Sequence, residues 1–129
     1  MRTVALLTLA ICLVAPAQAR TPEQVAQAAL DSAPVWDGHN DAPGQLRERR
    51  GNMLDGFDFT DTSTTVTADK AAMQTDLERM RQGRVGAQFW SVYVDSALPE
   101  PEAVRQTIEQ IDLVKRLVAA NPGRLQLAT

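Results

Sequence analysis

The order of strand-like and helix-like segments constrains the fold of this chain most strongly. Residues 35–41 predict a short strand, residues 69–82 an amphipathic helix, residues 85–94 a second strand and residues 102–120 a second helix. An apolar run at residues 125–129 indicates the start of a third strand. Strands that alternate with helices form βαβ units, in which helices cover a parallel sheet. The pattern therefore predicts an α/β fold, and it leaves open whether the sheet is a closed barrel or an open, doubly wound sheet.

Apolar spacing supports both long helices. Met73, Leu77 and Met80 recur at i, i+4 and i+7. Gly83 follows them at a typical C-cap position. We expect the second helix to face the core with one stripe, formed by Val104, Ile108, Ile111, Val114, Leu117 and Val118. Both stripes are predicted to be core and not cofactor contacts.

Capping and turn residues predict two further segments. The sequence Thr-Pro-Glu-Gln at residues 21–24 is typical of a helix N-terminus, so a short helix is expected to extend to about Leu30. The Pro-Gly pair at residues 43–44 is expected to end the first strand, and a long polar connection then extends over residues 45–67. Connections of this length inside a domain are usually functional or mobile.

The first nineteen residues have the composition of a secretory signal peptide. Arg2 supplies a positive start, residues 4–14 form an apolar run and residues 17–19 read Ala-Gln-Ala, a small-residue cleavage motif. The apolar run is too short to span a bilayer comfortably. We therefore expect residues 1–19 to be removed and the rest to be secreted or periplasmic, with no transmembrane span beyond the signal peptide.

Charge and cysteine content exclude several classes of protein. Cys12 is the only cysteine and lies in the predicted leader, so the mature protein has no thiol with which to form a disulfide. The net charge is −3, which gives no sign of nucleic-acid binding. Arg47, Arg49 and Arg50 form the densest basic cluster, for which a solvated loop is the default explanation. Phosphate-binding glycine motifs are absent from the sequence.

The only histidine, His39, stands two residues before the carboxylate of Asp41. In an extended strand the side chains at i and i+2 project to the same side, so these two converge while Asn40 points elsewhere. Imidazole nitrogen and carboxylate oxygen are both ordinary zinc ligands. Asp-Gly and Asn-Asp pairs also form turns, so spacing alone leaves open a plain loop with a solvated histidine.

Two segments resemble one known family. Residues 36–43, Trp-Asp-Gly-His-Asn-Asp-Ala-Pro, resemble the first-strand motif of the membrane dipeptidase (renal dipeptidase, peptidase M19) family. Residues 76–94 resemble the helix and strand that come next in that family, in the same order. The resemblance implies a (β/α)8 TIM-type barrel, whose active site lies at the C-terminal ends of the strands. Such a barrel needs about 250 residues, so residues 20–129 are expected to be its N-terminal part, truncated after about two βα units.

The resemblance also implies an activity. It implies zinc-dependent hydrolysis of dipeptides at a two-zinc centre, with His39 and Asp41 as metal ligands. The bridging glutamate and two further histidines of the family lie on later strands, beyond Thr129. The complete protein is thus expected to be an enzyme with a dipeptide substrate, and a homodimer is compatible with it. This chain alone is expected to be inactive.

Two other functions remain open. One is a related barrel metallohydrolase that acts on another amide, and the other is an inactive exported domain in which His39 is merely structural. A nucleophilic hydrolase is disfavoured because the mature sequence has no cysteine and the chain has no GxSxG motif.

Overall fold

The computed structural model describes residues 19–128. The predicted signal peptide, apart from its last residue, and Thr129 lie outside the described residues. Within residues 19–128 the elements are α1 (Pro22–Ser32), β1 (Val35–Asn40), α2 (Ala42–Arg50), α3 (Leu77–Gln82), β2 (Val85–Trp90) and α4 (Glu100–Ala119). This mixed α/β arrangement confirms the predicted fold class. It is compatible with the start of a (β/α)8 barrel, which stays a prediction.

The two strands lie side by side in parallel. Val35 pairs with Val85 at one end of the sheet and Asn40 pairs with Trp90 at the other. One further backbone bond, from Ser91 N to Asn40 O at 2.9 Å, continues the ladder past the last pair. The carboxyl ends of β1 and β2 therefore meet at one edge of the sheet, and the chain leaves β1 at that edge.

The hydrophobic core lies between the helices and the segment that connects α2 to α3. Phe59 packs edge-on against Trp90, with ring centroids 5.8 Å apart and planes at 86°. Such edge-to-face pairs add to the stability that burial alone gives. The buried cluster comprises Leu46, Phe59, Met73, Leu77, Leu113 and Leu117. The prediction that Met73 and Leu77 are core residues is confirmed.

Helix α1 confirms the predicted N-terminus. The Thr21 hydroxyl accepts a bond from the Gln24 N–H at 3.3 Å, and Gln24 Oε1 accepts one from the Thr21 N–H at 3.0 Å. This reciprocal capping box satisfies two N–H groups that the first helical turn leaves unpaired. The helix extends two residues beyond the predicted end at Leu30, to Ser32.

Helix α2 corrects the prediction that a polar loop begins directly after β1. The residues expected to stop the strand instead start a helix, in which Asp41 is the N-cap and Pro43 lies in the first turn. Proline is tolerated there because its position needs no N–H donor. Leu46, fully buried, anchors the helix to the core. The irregular connection therefore begins only at Gly51, where the backbone is left-handed with φ of 58°.

Helix α3 is shorter than predicted and begins at Leu77 instead of Asp69. Asp76 is its N-cap, since its side chain accepts the N–H of Arg79 at 2.8 Å. Ahead of it, hydroxyls hold the chain in an irregular conformation: Thr65 Oγ1 accepts the N–H of Met73 at 2.8 Å, and Thr62 Oγ1 donates to Thr75 O at 3.0 Å. These bonds replace the helical ones, although Met73 still reaches the core.

Helix α4 was predicted at the right place but with the wrong face inward. Val104, Ile108 and Ile111 are exposed, and only Leu117 of the predicted stripe is buried. The buried face instead consists of Gln106, Gln110, Leu113 and Leu117. Gln106 is hydrogen-bonded to the Arg47 guanidinium, and Gln110 Nε2 donates to the carbonyl of Tyr93 at 2.8 Å. Gln110 Oε1 is buried without a hydrogen-bond partner within residues 19–128.

Two strand predictions are also corrected. Strand β2 ends at Trp90 and not at residue 94, and Phe89 is 67% exposed, so its two faces are not both covered by residues 19–128. Residues 125–128 form no strand. The Leu125 N–H instead donates to Asn121 O at 3.0 Å, which continues the turn after α4, and its side chain packs against the core.

Candidate metal centre

The predicted pair of ligands comes together at the carboxyl end of β1. His39 Nε2 lies 3.1 Å from Asp41 Oδ1. Both side chains are exposed, the imidazole to 69% and the carboxylate to 58%. The i, i+2 convergence inferred from the sequence is therefore found, although Asp41 stands just past the strand, at the N-cap of α2. The Asn40 side chain lines the same cleft but is hydrogen-bonded to Asp37, Thr75 and the backbone of Ala42.

The separation of these two atoms suits a shared zinc ion. With zinc–ligand bonds of about 2.0–2.2 Å and tetrahedral angles, two ligand atoms stand about 3.3–3.5 Å apart. The observed 3.1 Å differs from that by a few tenths of an ångström. Within residues 19–128 no group of three or more His, Cys, Asp or Glu side chains is placed to hold a metal. His39 and Asp41 thus fit part of a zinc site and leave the remaining ligand positions to other groups.

Asp37 supports the backbone ahead of the pair. Its Oδ1 accepts the N–H of His39 at 3.1 Å, and its Oδ2 accepts the side-chain amide of Gln88, on β2, at 2.8 Å. The hydrogen bonds from His39 and Asn40 lower the pKa of the Asp37 carboxyl below its usual range. The carboxylate therefore stays ionised and ties β1 to its neighbouring strand.

Asn40 supports the backbone after the pair. Its Oδ1 accepts the N–H of Ala42 at 3.1 Å, and its Nδ2 donates to Asp37 Oδ2 at 3.1 Å. Its amide also contacts the hydroxyl of Thr75, with Nδ2 2.9 Å from Oγ1. Thr75 is 8% exposed and immediately precedes the N-cap of α3. The side chain of Asn40 therefore joins β1, the start of α2 and the start of α3.

The pair opens onto a cleft of about 540 Å³ between β1, α2 and residues 70–75. Arg49 and Lys70 line this cleft together with His39 and Asp41. Lys70 is paired with Glu48 at 2.7 Å. The acceptors of Arg49 are neutral, Gln45 Oε1 at 2.9 Å and Thr65 O at 2.9 Å, so its positive charge is not cancelled by them.

A larger open groove, of about 700 Å³, lies along α4 and contains no histidine. Its charged residues are paired with one another or with neighbours on the same helix, as Arg116 is with Asp112 at 2.7 Å and Arg105 is with Glu102 at 2.5 Å. Such surface pairs within a helix are ordinary. We assign no chemistry to this groove.

The basic cluster near the site is structural and not a solvated loop. Arg47 binds Gln106, and Arg50 donates to Asp55 O at 2.6 Å while its guanidinium lies 5.4 Å from the centre of the Phe57 ring. Arg49 holds the carbonyl of Thr65. Arg49 and Arg50 therefore fasten the connection after α2 to the helix itself, and Arg47 joins α2 to α4.

Comparison with known proteins decides the family. The family model described as membrane dipeptidase (peptidase family M19) matches residues 23–129. This chain belongs to the membrane dipeptidase family. The resemblance seen in residues 36–43 and 76–94 is thereby confirmed.

Curated members of the membrane dipeptidase family agree with the match. An uncharacterized dipeptidase of Schizosaccharomyces pombe is 40% identical over 119 residues, which cover 83% of this chain and 27% of that protein. Dipeptidase 3 of Homo sapiens is 42% identical over 104 residues, or 81% of this chain and 20% of that protein. Dipeptidase ataJ of Aspergillus terreus is 37% identical over 111 residues, 80% of this chain and 25% of that protein. The chain spans about a fifth to a quarter of the length of these relatives.

No local pattern indicates the hydrogen-bond partners that surround His39 and Asp41. Asp37 and Asn40 lie in the same motif as His39, but their partners Thr75 and Gln88 are 35 and 51 positions away. The one available indication was the parallel pairing of the two predicted strands, which brings their carboxyl ends to one edge.

Proposed function

We propose that the protein containing this chain hydrolyses dipeptides with zinc, and that His39 and Asp41 are two of its metal ligands. The observation that carries the proposal is the convergence of His39 Nε2 and Asp41 Oδ1 to 3.1 Å at the carboxyl end of β1. Active sites of (β/α)8 barrels lie at that end of their strands. Membership of the membrane dipeptidase family supports the same reaction.

The described residues contribute binding and orientation to this reaction. Zinc, when bound, polarises a carbonyl and lowers the pKa of bound water. His39 and Asp41 would hold the metal at the cleft that they line, where their exposure leaves room for a small substrate. Arg49 puts a positive charge on the wall of the same cleft, which suits the carboxylate at one end of a dipeptide.

We propose further that residues 20–129 are the N-terminal part of a longer barrel domain. Two ligands are fewer than the three or four that zinc sites in proteins use, and the chain spans only 27% of its S. pombe relative. The missing ligands are then a glutamate and two histidines on later strands. Sequencing the reading frame past the codon for Thr129 tests this, since a stop codon there leaves His39 and Asp41 without partners.

The activity is tested on the complete protein. After removal of metal with a chelator, hydrolysis of a simple dipeptide should disappear and should return on addition of zinc. A panel of non-peptide amides separates a dipeptidase from a related amide hydrolase. Turnover of dipeptides that is unchanged by chelation contradicts the zinc proposal, and turnover of other amides alone contradicts the substrate.

Export is a separate proposal. A signal peptide at residues 1–19 implies that the exported protein begins at Arg20, in the periplasm or outside the cell. N-terminal sequencing of the exported protein checks this, and an intact Met1 in that fraction counts against it.

No helix within residues 19–128 is long and apolar enough to cross a membrane. A homodimer is compatible with the complete protein, and light scattering tests this.

A further inference from the structure

His39 and Asp41, the two proposed zinc ligands, are exposed to solvent. Both side chains are more than half exposed, the imidazole to 69% and the carboxylate to 58%. Packing alone therefore cannot fix their orientation, because little of either side chain touches other atoms. Their orientation therefore depends on the hydrogen bond between the two side chains, at 3.1 Å, and on the bonds to the backbone on either side of them.

We propose that Asn40, acting with Asp37, is a positioning residue that holds the two zinc ligands in their convergent arrangement. The inference rests on the proposed function, in that it takes His39 and Asp41 as ligands. It adds a role for two side chains that are not among the proposed ligands.

The backbone contacts of the two positioning residues bracket the ligands. Asp37 accepts the N–H of His39, the first ligand, at 3.1 Å. Asn40 accepts the N–H of Ala42, the residue directly after Asp41, at 3.1 Å. The two acceptors are joined to one another, since Asn40 Nδ2 donates to Asp37 Oδ2 at 3.1 Å. We therefore expect a change in either side chain to alter the backbone at both ligands.

Two further residues anchor this pair to the rest of the fold. Gln88 Nε2 donates to Asp37 Oδ2 at 2.8 Å from the neighbouring strand. The hydroxyl of Thr75 lies 2.9 Å from Asn40 Nδ2, and Thr75 is buried at 8% exposure. Groups that fix metal ligands in this way typically change metal affinity or activity by roughly 10- to 100-fold when they are removed.

The positioning role of Asn40 is distinct from a contribution to the stability of the fold. Asn40 is not part of the buried hydrophobic cluster, and it is itself partly exposed. Its contacts are polar and concentrate at the exit of β1. Removing them should therefore alter the metal site more than the fold.

The test compares Asn40→Ala with Asn121→Ala in the complete protein. Asn121 is a matched control, because its Nδ2 likewise donates a hydrogen bond, to Leu117 O at 2.8 Å, but at the end of α4. The probe is cobalt(II), whose visible absorption reports the geometry of its ligands, added to metal-free protein. We expect roughly 10- to 100-fold weaker cobalt binding and an altered cobalt spectrum for Asn40→Ala, with native circular dichroism. In the dipeptide assay with saturating metal, kcat should fall more than KM rises.

A second variant, Thr75→Val, tests the same role if Asn40→Ala does not fold. Thr75→Val removes the hydroxyl that contacts Asn40 and keeps the shape of the side chain. Thr107→Val is its control, since Thr107 Oγ1 donates only to Ala103 O within α4, at 2.9 Å. Thr75→Val should shift the cobalt spectrum in the same direction as Asn40→Ala, with a smaller loss of affinity, and Thr107→Val should not.

The outcomes separate this inference from the proposed function. If the unmodified protein binds no cobalt, the proposed function fails and the positioning role fails with it. If the unmodified protein binds cobalt and Asn40→Ala gives the same affinity and spectrum, only the positioning role is overturned. If Asn40→Ala does not fold, an unchanged spectrum in Thr75→Val overturns it as well.

Discussion

Arg79 holds the buried carboxylate of Asp76 from the next turn of the chain, with Nε 2.8 Å from Oδ2. The Asp76 side chain is 2% exposed, and Thr62 also donates its N–H to Oδ2, at 3.1 Å. Burial by itself raises the pKa of Asp76, but the hydrogen bonds from Arg79 and Thr62 outweigh it and lower the pKa to about 2. The carboxylate therefore fixes both the start of α3 and the segment that carries Thr62.

Acid should weaken the fold through this carboxylate. The folded pKa of about 2 lies below the usual 3.8, so the contribution of Asp76 is complete above pH 3.8 and is lost as the pH falls toward 2. The shift corresponds to about 2 kcal/mol. We expect Asp76→Asn to be less stable than the unmodified chain at pH 7 and to lose less of its free energy of unfolding between pH 5 and 2. Urea denaturation at several pH values measures this.

Asp112→Asn is the matched control for Asp76→Asn. Asp112 is 62% exposed and pairs with Arg116 on the surface of α4, where such pairs contribute little. Its substitution should change the stability at pH 7 by less than that of Asp76. Equal effects from the two substitutions would contradict the assigned role of the buried carboxylate.

A methyl group at Gly86 should disturb the start of the sheet. A Cβ there would lie 2.6 Å from the Cβ of Pro34, and the proline ring cannot move aside as a flexible side chain does. We expect Gly86→Ala to lower the free energy of unfolding by about 1–3 kcal/mol, as overpacking does. Gly38→Ala is the control in β1, because nothing lies within 4 Å of its added Cβ. Equal stability of the two variants would show that Gly86 and Pro34 are not in close contact.

Alanine substitutions at Gly44 and Gly51, near the two ends of α2, should change the stability in opposite directions. Gly51 ends the helix with φ of 58°, where an added Cβ is strained, so Gly51→Ala should cost about 1 kcal/mol. Gly44 lies inside the helix, and its Cβ would meet only Gln110 Oε1, at 4.0 Å. Gly44→Ala should therefore gain up to about 1 kcal/mol through helix propensity. Thermal denaturation of the two variants tests the pair, and shifts of the same sign in melting temperature would mean that α2 is not formed as described.

Local signals in the sequence were sufficient for some elements and misleading for others. The capping box of Thr21 and Gln24 depends on four consecutive residues, so α1 could be predicted. Pro43 is compatible both with the end of a strand and with the first turn of a helix. Only the burial of Leu46 against α4 decides for the helix, and that contact depends on a distant part of the chain.

The face of α4 could not be derived from apolar spacing. Val104 and Ile108 suggested one face, but Gln106 and Gln110 occupy the interior because Arg47 and the carbonyl of Tyr93 bind them. Burial of a polar side chain depends on a partner that its own segment does not contain. The extent of α3 was missed for the same reason, since the bonds that replace its first turns come from Thr65 and Thr62, 8 and 13 positions before their partners.

The part of the candidate site that depends on neighbouring residues in the sequence could be predicted. The convergence of His39 and Asp41 follows from the alternation of side chains along an extended chain. The contact of Asn40 with Thr75 spans 35 positions, and nothing in the motif indicates it. The two proposed ligands could therefore be predicted from the sequence, and the residues proposed to position them could not.

The most direct test of the account is zinc binding and dipeptide hydrolysis by His39→Ala in the complete protein. The imidazole is 69% exposed, so its loss should leave the fold intact and circular dichroism unchanged. Because it is proposed to supply a zinc ligand, we predict that zinc-dependent hydrolysis falls to background and that zinc affinity decreases. If His39→Ala binds zinc and hydrolyses dipeptides at the rate of the unmodified protein, His39 is not a ligand and the account is wrong.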